Sequence, residues 1–226
     1  TLFPYTTLFR FDDMEIYLDL IEEMLLKYWP KTKEPLEIDS FSSGEEVLAN
    51  YENDKYDAAI LDVQMEGITG YETAYEILKQ DPTMVIAFHT SHTHINTGSY
   101  EIEYSAHIPK GGSDSQYQQE IEKVYIDACA RNKIFHSSAG DFKYKDIKYF
   151  RQNWRKLMIY TTKGEFVIDG HIRDLNDMTK FIKTSKKYYV NKMHIKDFKM
   201  NLVFLKDGSK LPLDVDLSYL NKIQRF

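Results

Sequence analysis

The chain of 226 residues is 42% hydrophobic, enough to bury a core and long enough for one or two domains. Its single cysteine, Cys129, excludes an internal disulfide and fits a reducing cytoplasm, and no run approaches the roughly eighteen apolar residues of a membrane helix. The net charge of −6 conceals a split: residues 1–136 carry 10 Lys and Arg against 25 Asp and Glu, a net of −15, whereas 137–226 carry 19 against 10, a net of +9. Such a division implies an acidic module and a basic one, the basic module facing a polyanion.

Residues 1–10, TLFPYTTLFR, resemble the translation of a sequencing-library adapter and are set aside as a non-native, adapter-like segment. They lack the charged n-region and small-residue cleavage site of a signal peptide. Their Leu, Phe, Tyr and Thr nevertheless carry strand propensity and would let the segment imitate a first strand. From Asp13, the apolar residues Met14, Tyr17, Leu18, Ile21, Met24, Leu25 and Tyr28 recur at three- and four-residue steps, predicting a helix that ends near Pro30. Leu36–Phe41 alternates as a short strand. Ser43 with Glu46 makes a capping-box start for a helix to about Tyr51, and Asp57–Asp62 encloses an apolar run suited to a buried parallel strand. A helix over Gly70–Gln80, a strand over Met84–His89, a short strand at Ile108-Pro109 and a helix over Ser113–Lys133 complete about five β/α alternations. That order is the mark of a doubly wound parallel sheet, which binds ligands beyond the carboxyl ends of its strands.

The texture changes after Phe135. Residues 134–141 form a predicted linker between a first domain at 11–133 and a second at 142–226. Short alternating segments follow at Leu157–Thr162, Glu165–Asp169, Leu202–Leu205 and Lys210–Leu213, with Asp207-Gly208 as a two-residue hairpin signal. Only Asp174–Ile182 has helical spacing, so the second domain is expected to be mainly β.

Candidate chemistry gathers at the predicted strand ends of the first domain. Asp12 and Asp13 precede the first helix, Asp62 ends the third strand, Thr90 follows the fourth and Lys110 the fifth. Carboxylates of Asp12, Asp13 and Asp62, with the Gln64 carbonyl, are the oxygen donors a hard Mg2+ ion takes. Asp62 would attack a phosphoryl donor, and Lys110 and Thr90 would hold the resulting phosphate oxygens. Singly these residues have plainer readings: an acidic pair complements a helix dipole, a strand-terminal Asp forms a turn, and a lysine is solvated. His89, His92 and His94 read as polar loop residues near a strand end rather than as a zinc site, since no Cys or carboxylate accompanies them at metal-site spacing.

Taken together, Asp12-Asp13, Leu61-Asp62-Val63-Gln64-Met65, Thr90 and Pro109-Lys110 resemble the receiver domain of two-component response regulators over about 11–133. The resemblance implies a flavodoxin-like (βα)5 fold, a sensor histidine kinase as phosphate donor to Asp62, and a Thr90 that swings toward the phosphate. Two departures bear on that switch: His107 stands where the family has an aromatic ring, and Gly111 where it usually has Pro.

The basic half interleaves cations with aromatics at Lys148–Lys156 and Lys183–Lys192, a pattern that neutralises phosphates and offers polar groups to base edges. The plainer reading is a solvated basic face over an aromatic core. Asp146-Ile-Lys-Tyr-Phe150, a basic loop, the hairpin at Leu157–Asp169, a helix near Leu175–Phe181, Tyr188-Tyr-Val-Asn191 and the Val203–Leu213 unit with Asp207-Gly208 resemble, in that order, the LytTR DNA-binding domain over about 142–226. That family reads promoter double-stranded DNA through loops between strands, usually as a homodimer on repeated sites. The resemblance puts Asn153, Arg155 and Lys156 in a first reading loop, and Lys183, Ser185, Lys186 and Lys187 in a second. Asp216-Leu217 stands where the family has a Ser-Arg pair, with Asp214 nearby, so a third contact is expected to be lost or rebuilt by Lys222 and Arg225.

The resulting expectation is a cytoplasmic, non-enzymatic transcriptional response regulator switched at Asp62. Two alternatives stay open: a pseudo-receiver that holds DNA without phosphorylation, and a phosphotransfer enzyme using Asp62 as nucleophile, against which Gln64 stands where such enzymes carry a second Asp.

Overall fold

The computed structural model describes residues 6–30, 36–92, 100, 102–175, 178 and 180–214. The chain divides into two compact units, 1–131 and 132–226. In the first, strands β1 (Thr6–Phe11), β2 (Leu36–Phe41), β3 (Ala58–Leu61), β4 (Val85–Thr90) and β5 (Ala106–Pro109) form a parallel sheet in the order β2-β1-β3-β4-β5. This is the flavodoxin-like order, with its switch point between β1 and β3. Every residue of β3 and β4 is buried, because helices cover both faces of a parallel sheet.

Side chains alternate between two cores. Leu8, Ile60, Ala87 and Ile108 point to one face, against Ile21 and Leu25 of helix α1 (Glu15–Tyr28) and Ile121 and Val124 of helix α4 (Asp114–Asn132). Phe9, Phe11, Leu61, Ile86 and Phe88 point to the other, with Val47 of α2 (Gly44–Asn50) and Ala74 and Ile77 of α3 (Gly70–Gln80). Residues 6–10 of the adapter-like segment thus lie inside the sheet, where β1 pairs with β2 on one side and β3 on the other. Alternating Leu8, Phe9 and Phe11 supply the two-faced apolar pattern that position demands. Residues 1–5 lie outside the described residues.

Local capping follows the side chains present. Thr69 and Glu72 make a reciprocal capping box that starts α3. At α2, Ser43 Oγ accepts from Glu46 N (3.1 Å), but the Glu46 carboxylate returns to Ser42 N rather than to Ser43. Among the described residues the first unit has four α-helices; of the connection from β4 to β5, residues 93–99 and 101 lie outside the description.

The second unit is antiparallel. Strands β8 (Ile147–Asn153), β9 (Lys156–Thr161), β10 (Glu165–Asp169), β11 (Phe181–Lys183) and β12 (Tyr188–Asn191) form a sheet in the order β10-β9-β8-β12-β11. A second sheet contains β13 (Ile195–Lys199), β14 (Leu202–Leu205) and β15 (Lys210–Pro212). Asn191 is fully buried and braces the first of these, its Nδ2 donating to Tyr144 O and Ile147 O, both at 2.8 Å.

Three expectations change here. Residues 134–141 are not an irregular linker: β6 (Ile134–Ser137) and β7 (Gly140–Lys143) form a hairpin whose Phe135 enters the second core. The helix expected over Asp174–Ile182 is absent at both described ends. Ile172–Asp174 is a 3-10 turn and Phe181–Lys183 pairs with β12, while residues 176, 177 and 179 lie outside the description. The Asp207-Gly208 hairpin closes on three residues, with Leu205 N donating to Ser209 O and Gly208 at φ +85°. That geometry is a turn with a glycine in the left-handed position rather than a two-residue loop.

Candidate functional sites: a carboxylate–lysine centre and a basic loop edge

β1, β3, β4 and β5 end on the same side of the parallel sheet, and four of the predicted residues follow from that register. Phe11 pairs with Leu61, Leu61 with Phe88 and Thr90 with Pro109, so the residues just beyond the strands converge. Asp12, Asp62 and Thr90 are buried, and Asp13 is exposed at the rim. Oxygens of Asp12, Asp13 and Asp62 lie within 4.8 Å of one another. Lys110 Nζ reaches between two of these carboxylates, 2.7 Å from Asp12 Oδ2 and 2.8 Å from Asp62 Oδ2.

The electrostatics follow from burial and that lysine. Desolvation pushes the Asp12 carboxyl above its ordinary value, although Lys110 and the Met14 N–H oppose it. Burial likewise disfavours the Lys110 ammonium, but Asp12 and Asp62 outweigh it and hold its pKa up. Lys110 also sits 3.9 Å from the centroid of the Tyr17 ring, a cation–π contact. The other Asp62 oxygen, Oδ1, accepts from Val63 N (2.6 Å) and lies 3.4 Å from Gln64 N.

The loop after β3 is fixed by Gly70. Gly70 N donates to Val63 O (3.3 Å), and a Cβ at this glycine would lie only 1.9 Å from Asp62 O. α3 can therefore begin directly against the Asp62 backbone only because residue 70 has no side chain.

Thr90 and Lys110 are linked through the backbone, Lys110 N to Thr90 O at 2.9 Å. The Thr90 hydroxyl itself pairs with His92, accepting from His92 N and lying 3.3 Å from Nδ1, rather than with Asp62. His89 points the other way, buried between Tyr17 and Tyr117; burial and then the Lys110 charge depress its pKa to about 3. His94 lies outside the described residues. The His107 backbone N–H donates to Glu120 Oε2 (3.1 Å), tying β5 to α4. Gly111 adopts φ +79°, which the ring of the expected proline cannot reach, so the turn after Lys110 has its own course.

In the second unit the two predicted loops meet. Asn153 pairs with Lys156 across β8 and β9, leaving Trp154-Arg155 as the loop. β12 lies on the other side of β8, with Tyr188 opposite Arg151, and Gln152 N donates to Lys187 O (2.8 Å). The turn over 184–187 therefore sits beside the Trp154-Arg155 tip at one end of the sheet. Asn153, Arg155, Lys156, Lys183, Lys186 and Lys187 are all exposed there.

Ser185 departs from its expected place. It is buried, and its hydroxyl accepts from Lys187 N and Tyr188 N, so it shapes the turn instead of facing outward. Asp214 N bonds to Thr184 O (2.7 Å), which brings that carboxylate-bearing residue to the same end. Asp216, Leu217, Lys222 and Arg225 lie outside the described residues. Two further residues shape this edge, Gln152 and Trp154, neither of which charge patterning singles out. Gln152 clamps the tip, its Nε2 donating to Trp154 O (2.6 Å), Lys156 O (3.1 Å) and Gly170 O (3.2 Å), while its Oε1 accepts from Ile172 N.

Comparison with known proteins matches both units. Residues 11–122 match the response regulator receiver domain, and 141–224 match the LytTr DNA-binding domain. The chain is 23% identical over 221 aligned residues to the sensory transduction protein LytT of Bacillus subtilis (strain 168), covering 86% of this chain and 89% of that protein. Among solved structures, the response regulator TrrA of Thermotoga maritima is 26% identical and covers 53% of this chain and 98% of its own, at a TM-score of 0.45. A CheY-like receiver of Methanospirillum hungatei JF-1 is 18% identical, covering 55% and 96%, at 0.46. No helix among the described residues is long and apolar enough to cross a membrane.

Proposed function

Since the chain belongs to the two-component response regulators that join a receiver domain to a LytTR DNA-binding domain, we propose that Asp62 is its phosphoacceptor and that a sensor histidine kinase is the donor. The observation that carries this reading is the Lys110 ammonium shared between Asp12 and Asp62 at the end of a parallel sheet. An Asp62 oxygen attacks phosphorus, a P–O bond forms as the donor's P–N bond breaks, and the departing imidazole takes up a proton. Lys110 then exchanges a carboxylate oxygen for a phosphate oxygen, a charge-assisted contact of at least equal strength. Thr90, released from His92, supplies a hydroxyl donor to the same phosphate.

The donor set fits a hard divalent cation. Three carboxylates converge within 4.8 Å, one of them desolvated enough to favour a counter-charge, and all offer oxygen. Asp12, Asp13, Asp62 and the Gln64 carbonyl would hold Mg2+, which when bound neutralises charge on the phosphoryl oxygens.

The output is binding of promoter double-stranded DNA in the cytoplasm through Asn153, Arg155, Lys156, Lys183, Lys186 and Lys187, as a homodimer whose two copies engage repeated sites. Two linked binding events raise affinity by effective concentration without any new contact. The exposed cations at one sheet end support this assignment, and the net charge of +9 over 137–226 supplies the field.

The test is incubation with acetyl phosphate and Mg2+, wild type beside Asp62→Asn, read by intact mass. A phosphate-sized gain in wild type only is expected. No gain in wild type, with DNA binding intact, would make the chain a pseudo-receiver; sustained release of inorganic phosphate from phosphomonoesters would make it an enzyme.

A further inference from the structure

Trp154 is 88% exposed, whereas the other tryptophan of the chain, Trp29, is 5% exposed. It occupies the first position of the two-residue loop between β8 and β9 with φ +56°, backbone that glycine, asparagine and aspartate adopt readily and a bulky side chain does not. The loop is not slack. Gln152 holds the Trp154, Lys156 and Gly170 carbonyls, and Gly170 N donates to Arg155 O at 2.7 Å. A large apolar ring in strained, clamped backbone, raised into solvent, finds little to pack on among the described residues. Strain of that kind persists where the surrounding structure enforces it, and it points to function.

The ring's surroundings say what it meets. Asn153, Arg155 and Lys156 flank it, and Lys186 and Lys187 stand on the adjoining turn. Among the described residues none of these four cations has an ion-pair partner. An apolar prong ringed by free cations matches a polyanion with an apolar feature recessed between its charges. The major groove of DNA is such a surface: it admits a two-stranded ribbon, phosphates line its edges, and the thymine methyl is its apolar mark.

We propose that Trp154 enters the major groove at the tip of the β8–β9 ribbon and packs on a thymine methyl, making it a specificity-determining residue. This rests on the DNA-binding reading of the second domain and goes beyond it. The cations beside it anchor on phosphate and carry no sequence information; the ring reads a base.

The test uses the full-length protein and duplexes selected by the wild type from a randomised double-stranded library. Trp154 emission, separable from that of buried Trp29, should fall and shift to the blue on binding. Replacing the critical thymine by uracil, which lacks only the methyl, should weaken wild-type binding about tenfold, as loss of one base contact does. In Trp154→Ala and Trp154→Asn the same replacement should cost nothing. Trp154→Asn, suited to the left-handed backbone, should be at least as thermally stable as wild type while binding the selected duplexes more weakly. Equal uracil sensitivity in wild type and Trp154→Ala overturns the proposal, as does quenching by anionic lipid vesicles but not by duplex. If the library yields no selected duplex with either protein, the DNA-binding reading itself fails, a result distinct from both.

Discussion

Gly70→Ala separates helix chemistry from site geometry, because the two push in opposite directions. An added methyl would lie 1.9 Å from Asp62 O, 2.9 Å from its carbonyl carbon and 3.3 Å from Val63 Cα. To restore an ordinary closest approach of roughly 3.0 Å, the start of α3 and the end of β3 must part by about 1.1 Å. Both neighbours are backbone, so no side-chain rotation relieves the contact. Replacing glycine by alanine in a helix is worth up to about 1 kcal/mol, less at its first position. Overpacking costs about 1–3 kcal/mol, so the net is a loss of up to about 2–3 kcal/mol. The larger effect is on chemistry, since displacing the Asp62 carboxylate by ~1 Å from Lys110 and Asp12 should slow phosphorylation on the order of 100-fold. The assay is the initial rate of phosphorylation by acetyl phosphate with Mg2+, alongside thermal unfolding. A variant with a raised melting temperature and a wild-type rate would refute the steric argument, showing that the loop gives way without moving Asp62.

Two other predictions rest on buried ionisable side chains. Arg131, fully buried in the last turn of α4, bonds to the Asp81 carboxylate and to Thr83 Oγ1 (3.0 Å) and Tyr56 O (3.4 Å). Arg131→Met should destabilise the receiver unit by about 3–5 kcal/mol in urea denaturation, the cost of stranding one member of a buried pair; a loss near zero would mean that Asp81 re-solvates freely. His194 is buried with Nε2 donating to Lys145 O (2.6 Å), and burial depresses its pKa from 6.5 to about 4. The unfolded chain therefore binds the proton first, so stability is full above about pH 6.5 and falls as pH drops toward 4, by up to roughly 2 kcal/mol at pH 5. His194→Gln should flatten that slope in the second unit, and an unchanged slope would assign it to another group.

The receiver site was legible because its information is local in kind though distant in sequence. Asp12, Asp62, Thr90 and Lys110 each follow an apolar run, and in a parallel sheet every such run ends on the same side, so strand prediction alone brings them together. What it could not supply was the state of each group. That Thr90 is held by His92 and Lys110 is capped by Tyr17 depends on rotamers and on the helix placed over the strand ends. In the second unit periodicity itself misleads: Leu175, Met178, Phe181 and Ile182 have helical spacing, yet Phe181 and Ile182 go to different cores from a strand beside β12. Short apolar runs do not distinguish the two.

The basic edge shows the deeper limit. Residues 153–156 and 183–187 are separated in sequence by β9, β10, a 3-10 turn and β11, and they adjoin only because β8 chooses β12 as its second neighbour. Pairing of that kind is decided by burial of Phe150, Val190 and Asn191 together, not by any residue at the edge. A tryptophan in a linear pattern reads as core, and only the sign of one φ angle and the bonds of Gln152 turn Trp154 outward. Ser185, polar and flanked by lysines, reads as a contact, and two backbone N–H groups claim its oxygen. At an edge built from turns, composition therefore names the class of ligand, a polyanion, while backbone conformation selects which side chains are free to read it.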